Sequence, residues 1–195
     1  MLRCKHTNIV SYDEAFIYKE KYWIFMEYLE AGCLTEVIDD LKAKVNERFI
    51  QYVIHETLQA LLYLHSKHII HRDIKSDNIL LGSNGRVKLA DFGYAAQLTQ
   101  ERRNRNSKVG TVCWMAPEVI RGKDYSATAD VWSLGVMLLE LIFGKPPYLN
   151  LPQAKVITLI LTNSPPEIPR ALWSNDLRDF AGKCMQKEPE KRASV

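Results

Sequence analysis

A predicted β-hairpin near the middle of the chain restricts the fold more than any other segment. Two short apolar segments, residues 79–81 and 87–89, flank the sequence Gly82-Ser83-Asn84-Gly85. An Asn-Gly pair between apolar segments is a strong local signal for a hairpin turn. Because a hairpin folds the chain back on itself, Asn78 before it and Asp91 after it are predicted to lie at the same end of the ribbon.

The segments at that end carry groups suited to phosphate chemistry. They are the sequences His71-Arg72-Asp73-Ile74-Lys75-Ser76-Asp77-Asn78 and Asp91-Phe92-Gly93. The side-chain oxygens of Asn78 and Asp91 suit Mg²⁺, which prefers hard oxygen ligands and completes its shell with phosphate and water. A carboxylate at Asp73 could orient a hydroxyl and take its proton, and Lys75 could stabilise a moving phosphoryl group. These residues predict a phosphoryl-transfer site.

The rest of the chain predicts a small strand-rich start followed by a larger helical body. Residues 10–18 and 22–28 are rich in β-branched and aromatic residues and are separated by a polar turn, which favours a hairpin. Apolar spacing predicts a short helix over 34–41 and a long amphipathic helix over 49–65. Further helices are predicted over 130–143, 152–163 and 174–186. The fold class is therefore α+β.

Composition excludes several classes of protein. The 195 residues are 47% hydrophobic and 25% charged, which suits one globular core, and the net charge of +3 is too small to indicate nucleic-acid binding. The four cysteines form no C-x-x-C pair, so neither a disulfide framework nor a zinc site is predicted. The most apolar stretch, 131–143, is too short to span a membrane. Without a targeting signal, the default location is cytoplasmic.

Two other clusters, one of histidines and one of basic residues, have simpler explanations than a binding site. His65, His68 and His71 have a spacing that could suggest a metal site, but a helix end followed by a loop, with His71 packed under Phe92, explains them without a fourth ligand. A basic run could be a nucleic-acid patch, but a solvated loop is the preferred interpretation. The run comprises Arg102, Arg103, Arg105 and Lys108.

The ordered motifs resemble a known family. HRDIKSDN, then DFG, then Ala116-Pro117-Glu118 closely resemble the catalytic loop, metal loop and activation-segment end of protein kinases. MEYLEAGCLTEV, VGTVCWMAPEVI and ADVWSLGVMLLEL are similar to the PAK family of the sterile-twenty (STE) group. The resemblance implies a protein-kinase-like fold, mainly the helical C-lobe (30–195) with a remnant hairpin and hinge of the N-lobe (1–29). It also implies ATP and Mg²⁺ as cofactors and serine or threonine residues of proteins as substrates.

The resemblance assigns roles to individual positions. Asp73 would be the catalytic base, Lys75 the γ-phosphate partner and Thr111 a bridge between them. The Mg²⁺ ligands would be Asn78 and Asp91. The ATP pocket would use the gatekeeper Met26, the backbone of Glu27 and Leu29, and Leu80 as its floor. Structural roles would fall to His71, Phe92, Gly93, Asp130 and the pair Glu118 and Arg192.

Regulation and specificity are also implied. Ser107 aligns with the activating phosphosite, and phosphate there would pair with Arg72. Asp77 and Glu140 match acids of kinases that prefer Arg upstream of the phosphosite. The alternative is a surface acid and a helix-core acid with a local partner. Val112 and Cys113 replace the family's usual Pro and Tyr, which leaves the preference for the residue after the phosphosite open.

The sequence also departs from the family at its ends. No Gly-rich loop, ATP-binding lysine or paired glutamate appears before Met1-Leu2-Arg3, and the sequence stops at residue 195, inside what should be the last helix. We therefore expect the chain to be incomplete at both ends. The alternative function is a catalytically impaired fragment or a pseudokinase-like docking module. Rho-type GTPases would act only through regions outside this chain, and neither a nucleic-acid partner nor a membrane span is expected.

Overall fold

The structure is a computed structural model that describes residues 5–41, 45–98 and 111–195. Ser107 and the basic run from Arg102 to Lys108 lie outside the described residues. The strands are β1 (Tyr12–Tyr18), β2 (Lys21–Met26), β3 (Ile69–Ile70), β4 (Ile79–Leu81), β5 (Val87–Leu89) and β6 (Ala96–Gln97). The helices are α1 (Leu34–Leu41), α2 (Glu47–Ser66), α3 (Pro117–Ile120), α4 (Thr128–Phe143), α5 (Gln153–Thr162) and α6 (Asn175–Cys184). The predicted α+β class is confirmed.

Both predicted hairpins are present. β1 pairs antiparallel with β2, and Lys19 and Glu20 turn the chain with positive φ angles of 47° and 60°. The side chains of this hairpin are largely exposed, including Ile17 and Tyr22. The second hairpin, β4–β5, closes through a hydrogen bond from Gly82 N to Arg86 O of 2.8 Å, and Gly85 supplies the left-handed residue at φ 83°. Its loop is longer than the two-residue turn that an Asn-Gly pair most often makes.

The helical body is built around α4. Thirteen of its sixteen residues are buried, which explains why its sequence is apolar on every side. Helix α2 packs its apolar stripe against α4 and β5. Asn46 caps α2, because its side chain accepts a hydrogen bond of 2.9 Å from Phe49 N. The boundaries of the long helices agree with the predicted ones to within two residues.

Several short elements were not predicted. Strand β3 pairs with β6, and helix α3 follows Ala116. A 3₁₀ turn, Ser76–Asn78, leads directly into β4. Two-residue strands and single helical turns are too short to produce a periodic pattern in the sequence. Within the described residues, no helix is both long and apolar enough to cross a membrane.

Candidate active site

The register of β4 and β5 brings the two predicted Mg²⁺ ligands to one end of the ribbon. Ile79 pairs with Leu89, and Ala90 N donates a hydrogen bond of 2.8 Å to Asn78 O. Asn78 is therefore the last paired residue before β4, and Asp91 follows directly on the opposite strand. Asp91 is exposed and has a φ of 56°, so the chain turns sharply there and leaves the carboxylate accessible.

Asp73 lies at the centre of a hydrogen-bond network. Its Oδ1 accepts from Thr111 N at 3.1 Å and from Thr111 Oγ1 at 3.0 Å. Its Oδ2 accepts from Asn78 Nδ2 at 3.0 Å and lies 3.5 Å from Lys75 Nζ. Asp73 is buried, so its carboxylate is held in one orientation by groups from two distant segments.

The Thr111 hydroxyl links the Lys75 ammonium group to the Asp73 carboxylate. Lys75 Nζ donates to Thr111 Oγ1 at 3.1 Å, while the same hydroxyl donates to Asp73. Asn78 Nδ2 also donates to Asp73 O at 2.7 Å. Since its amide nitrogen is engaged twice, the side-chain oxygen of Asn78 is the atom left for a cation. The arrangement combines a fixed carboxylate, a fixed ammonium group and two oxygen ligands, which is what phosphoryl transfer requires.

Three rings pack edge-on against one another next to the network. His71 lies edge-on to Phe92 with ring centroids 5.1 Å apart, and Phe92 lies edge-on to Tyr12 at 6.3 Å. Burial raises the pKa of the Tyr12 phenol, and the nearby Asp91 charge contributes. Sequence reasoning missed Tyr12, because the alternating pattern of the first hairpin contains other aromatic residues of equal weight. Asp91 Oδ1 accepts from Gly93 N at 3.0 Å, so a side chain at Gly93 would crowd this oxygen.

His71 is held as a neutral ring. It is fully buried, Asp73 N donates to its Nδ1 at 3.3 Å, and its Nε2 lies 3.0 Å from Ala90 O. These partners assign the proton to Nε2, which donates to the carbonyl. Burial lowers the pKa of His71 despite the nearby Asp130 carboxylate.

Asp130, at the start of α4, anchors the loop that carries Asp73. Its Oδ2 accepts from His71 N at 2.9 Å and from His65 Nε2 at 2.8 Å. Its Oδ1 accepts from Arg72 N at 2.8 Å, where Arg72 has a strained φ of 72°. The two imidazole rings have separate partners, since the ring of His65 contacts Asp130 and the ring of His71 contacts Ala90 O and Asp73 N. The described residues contain no group of three metal-ligating His, Cys, Asp or Glu side chains.

Arg72 extends toward the side of the molecule that faces α3 and α4. Its Nε donates to Tyr94 O, and its Nη1 donates to Tyr125 Oη at 3.2 Å. The predicted partnership with phosphorylated Ser107 remains a prediction, since Ser107 lies outside the described residues.

Glu118 and Arg192 form a buried, two-pronged ion pair. Nη1 lies 2.6 Å from Oε1 and Nη2 lies 2.9 Å from Oε2. Arg192 also donates to Thr128 O at 3.0 Å and to Gln186 O at 2.9 Å. The pair ties helix α3 to the end of the described chain.

The residues predicted for the ATP pocket come from the end of the first hairpin, the segment that follows it and the β4–β5 ribbon. Leu29 is buried in a small apolar cluster, against which Leu80 packs. The other two members of the cluster are Val10 and Ala90. Met26 ends β2 half-exposed, and Glu27 N donates to Ser11 O at 3.0 Å. Cavities of about 490 and 540 Å³ lie elsewhere and border none of these residues, so cavity size does not identify the site.

The two predicted specificity residues differ in their surroundings. Asp77 is exposed. Glu140 is buried, and its carboxylate accepts from Ser76 Oγ at 2.7 Å, Ser76 N at 3.3 Å and Trp114 Nε1 at 3.1 Å. Burial raises the pKa of Glu140, and these hydrogen bonds offset the effect only in part. The contacts of Glu140 favour the alternative weighed above, a helix-core acid with local partners.

Comparison with known proteins places these observations in a family. The family model described as "Protein kinase domain" matches residues 1–195. The chain is 50% identical over 196 residues to the serine/threonine-protein kinase pakA of Dictyostelium discoideum, covering 100% of this chain and 16% of that protein. It is 51% identical to pakC of the same organism, covering 92% of this chain and 38% of the relative. It is 47% identical to pak-1 of Caenorhabditis elegans, covering 98% of this chain and 33% of that protein. The chain therefore spans well under half the length of these relatives.

Proposed function

The chain belongs to the protein kinase family, and on that premise we propose that it carries the catalytic residues of an ATP-dependent serine/threonine kinase of the PAK type. The observation that supports this best is the network in which Asp73 is bonded to Thr111 and Asn78 and faces Lys75. These groups come from two segments that are distant in the sequence, residues 73–78 and Thr111. The contacts give no support to the docking-module alternative.

In the proposed reaction, the hydroxyl oxygen of a substrate serine or threonine attacks the γ-phosphorus of ATP. Asp73 orients the hydroxyl and accepts its proton, while the bond between the γ-phosphorus and the bridging oxygen breaks and ADP leaves. Lys75 stabilises the negative charge on the transferred group. Thr111 holds the carboxylate and the ammonium group in register, so that neither must reorganise during the transfer.

Protein kinases as a family use ATP with Mg²⁺, and the donor set of this chain fits that ion. The side-chain oxygen of Asn78 and the exposed carboxylate of Asp91 are hard ligands at adjacent positions of the ribbon. When bound, Mg²⁺ would neutralise charge on the ATP phosphates. Adenine would contact Leu29, Leu80 and the backbone of Glu27, next to Met26.

The remaining parts of the proposal rest on the resemblance. They are the use of proteins with serine or threonine as substrates, the recognition of an upstream Arg by Asp77, and activation through phosphorylation of Ser107 and its pairing with Arg72. They also include control by Rho-type GTPases through regions outside this chain, a cytoplasmic location, and a boundary between the two lobes near residue 29.

The test uses the protein at its full natural length with Mg²⁺, ATP and a serine peptide. Asp73→Asn should lower kcat by about 100-fold or more, because it removes the base. It also leaves either the Thr111 donors or the Asn78 and Lys75 donors facing an amide NH₂ group. Asp176→Asn, which changes an exposed carboxylate of α6, is the matched control and should leave kcat unchanged. Absence of phosphate transfer by the unaltered protein, or full activity of Asp73→Asn, would refute the proposed function.

A further inference from the structure

A second polar network lies outside the catalytic one, around the carboxylate of Glu27. Its Oε2 accepts from Ser11 N at 2.9 Å, from Ser11 Oγ at 2.7 Å and from Lys88 Nζ at 3.0 Å. Its Oε1 lies 2.8 Å from the same ammonium group. We call Ser11, Glu27 and Lys88 the Glu27 clamp. It joins the chain entering β1, the chain leaving β2 and the middle of β5.

The ammonium group of Lys88 is unusual for its position. Lys88 is the central residue of β5, between Val87 and Leu89, and only 8% of it is exposed. Lysine is rarely buried unless its charge is paired, and an unpaired buried charge is strongly unfavourable. Burial would raise the pKa of Glu27, but hydrogen bonds from Lys88 and Ser11 outweigh it and the pKa is lowered. The Glu27 carboxylate is therefore charged at neutral pH.

Each member of the clamp adjoins the apolar cluster proposed to hold adenine. Ser11 follows Val10, Glu27 lies two residues before Leu29, and Lys88 lies two residues before Ala90. Lys88 is also the cross-strand partner of Leu80, so both side chains leave the ribbon on the same face. A shift of the clamp would thus move all four apolar side chains, which are Val10, Leu29, Leu80 and Ala90.

The hydrogen bonds of the clamp do not reach the catalytic network within the described residues. None of them involves Asp73, Lys75 or Asn78. Arg86 approaches Glu27 at 3.9 Å, but its side chain is 40% exposed, and solvent screening makes such a contact weak. The clamp can therefore affect nucleotide binding without a direct effect on the chemical step.

We propose that the Glu27 clamp is a positioning device for the nucleotide. Glu27, held by Ser11 and Lys88, fixes the hinge backbone and the apolar cluster in the shape that binds the adenine ring of a nucleotide. The inference rests on the proposed function for its substrate, and it adds Ser11, Lys88 and the side chain of Glu27 to the residues that determine nucleotide affinity.

The experiment measures ADP affinity by calorimetry, together with the KM for ATP, the KM for the peptide and kcat, in the full-length protein. Lys88→Met keeps the long apolar stem but removes the charge. We expect the Kd for ADP and the KM for ATP to rise about tenfold, which corresponds to about 1.4 kcal/mol. The kcat and the peptide KM should change by less than about twofold, since no transition-state contact is lost.

Three further variants make the result specific. Lys88→Arg retains the charge and should keep the Kd for ADP within about threefold of the unaltered protein. Ser11→Ala, which removes one hydrogen bond, should raise the Kd for ADP about threefold. This variant replaces Lys88→Met as the test if Lys88→Met does not fold. Arg86→Met is the matched control for loss of a nearby cation and should change the Kd for ADP by less than about twofold.

Two outcomes would overturn the inference. One is an unchanged Kd for ADP in both Lys88→Met and Ser11→Ala, and the other is a loss of kcat at constant KM for ATP. A protein that binds ADP but transfers no phosphate would instead refute the proposed function. The clamp would still be tested by the ADP measurements alone.

Discussion

Replacing Arg192 by methionine should cost more stability than any surface substitution, and the structure shows why. The guanidinium group and the Glu118 carboxylate form two short hydrogen bonds, and their side chains are 0% and 4% exposed. Arg192→Met would leave a buried carboxylate without its counter-ion and would remove the hydrogen bonds that Arg192 donates to Thr128 O and Gln186 O. Breaking a buried pair from one side costs about 3–5 kcal/mol. Since total stabilities are about 5–15 kcal/mol, the variant should be close to unfolding.

A double-mutant cycle separates the pair from its surroundings. Glu118→Gln keeps the size of the side chain and should also cost about 3–5 kcal/mol, because the guanidinium charge is then unpaired. The double variant Glu118→Gln/Arg192→Met contains neither charge. Its loss of stability should therefore be smaller than the sum of the single losses by about 2 kcal/mol or more.

The assay is urea unfolding followed by tryptophan fluorescence. Arg192 Cζ lies over the Trp132 ring, 5.3 Å from the ring centroid, so this tryptophan reports on the region of the ion pair. The urea midpoints of the variants are compared where the free energy of unfolding depends on urea concentration with the same slope. A single-variant cost below about 1 kcal/mol, or strict additivity in the cycle, would show that water reaches the pair and that its burial does not control its energy.

Four other predictions concern single sites. Gly135→Ala should destabilise by about 1–3 kcal/mol in urea unfolding, because the new Cβ would lie 2.7 Å from Met185 Cγ. Gly182→Ala in α6 meets nothing within 4 Å and should stabilise by about 0.5–1 kcal/mol. Asn46→Ala should cost about 1 kcal/mol in the same assay, with loss of the cap on α2. Burial lowers the pKa of His71, so only the unfolded chain gains a proton as the pH falls below about 6.5. The free energy of unfolding should therefore fall between about pH 7.5 and 5.5, and less so in His71→Phe.

The local elements could be predicted because their signals are contained within short stretches. The β4–β5 ribbon follows from two apolar runs and a turn, and α2 and α4 follow from periodic or continuous apolar sequence. The convergence of Asn78 and Asp91 could be derived from the hairpin alone. By contrast, Thr111 and Asp73 are 38 residues apart, and no local pattern predicts their contact. That pairing came from the family resemblance.

Two glutamates, Glu27 and Glu140, show what a motif does not predict about side-chain partners. Glu27 was considered only for its backbone, although a lysine in the centre of an apolar strand signals a buried partner. The sequence allows Glu140 either a role in substrate recognition or a helix-core role, and its contacts to Ser76 and Trp114 favour the second. A side chain's partners depend on which distant segments pack against it, and a motif alone does not contain that information.

The position of Asp130 and Glu140 on one helix explains how the catalytic loop is held in place. They are ten residues apart on α4, a rise of about 15 Å. Asp130 binds the backbone of His71 and Arg72 at the start of the loop, and Glu140 binds the backbone and side chain of Ser76 near its end. Asp73 and Lys75 lie between these two attachments. The buried acids of α4 therefore fix a loop that has little regular structure of its own, because breaking either attachment would leave a carboxylate buried without its donors.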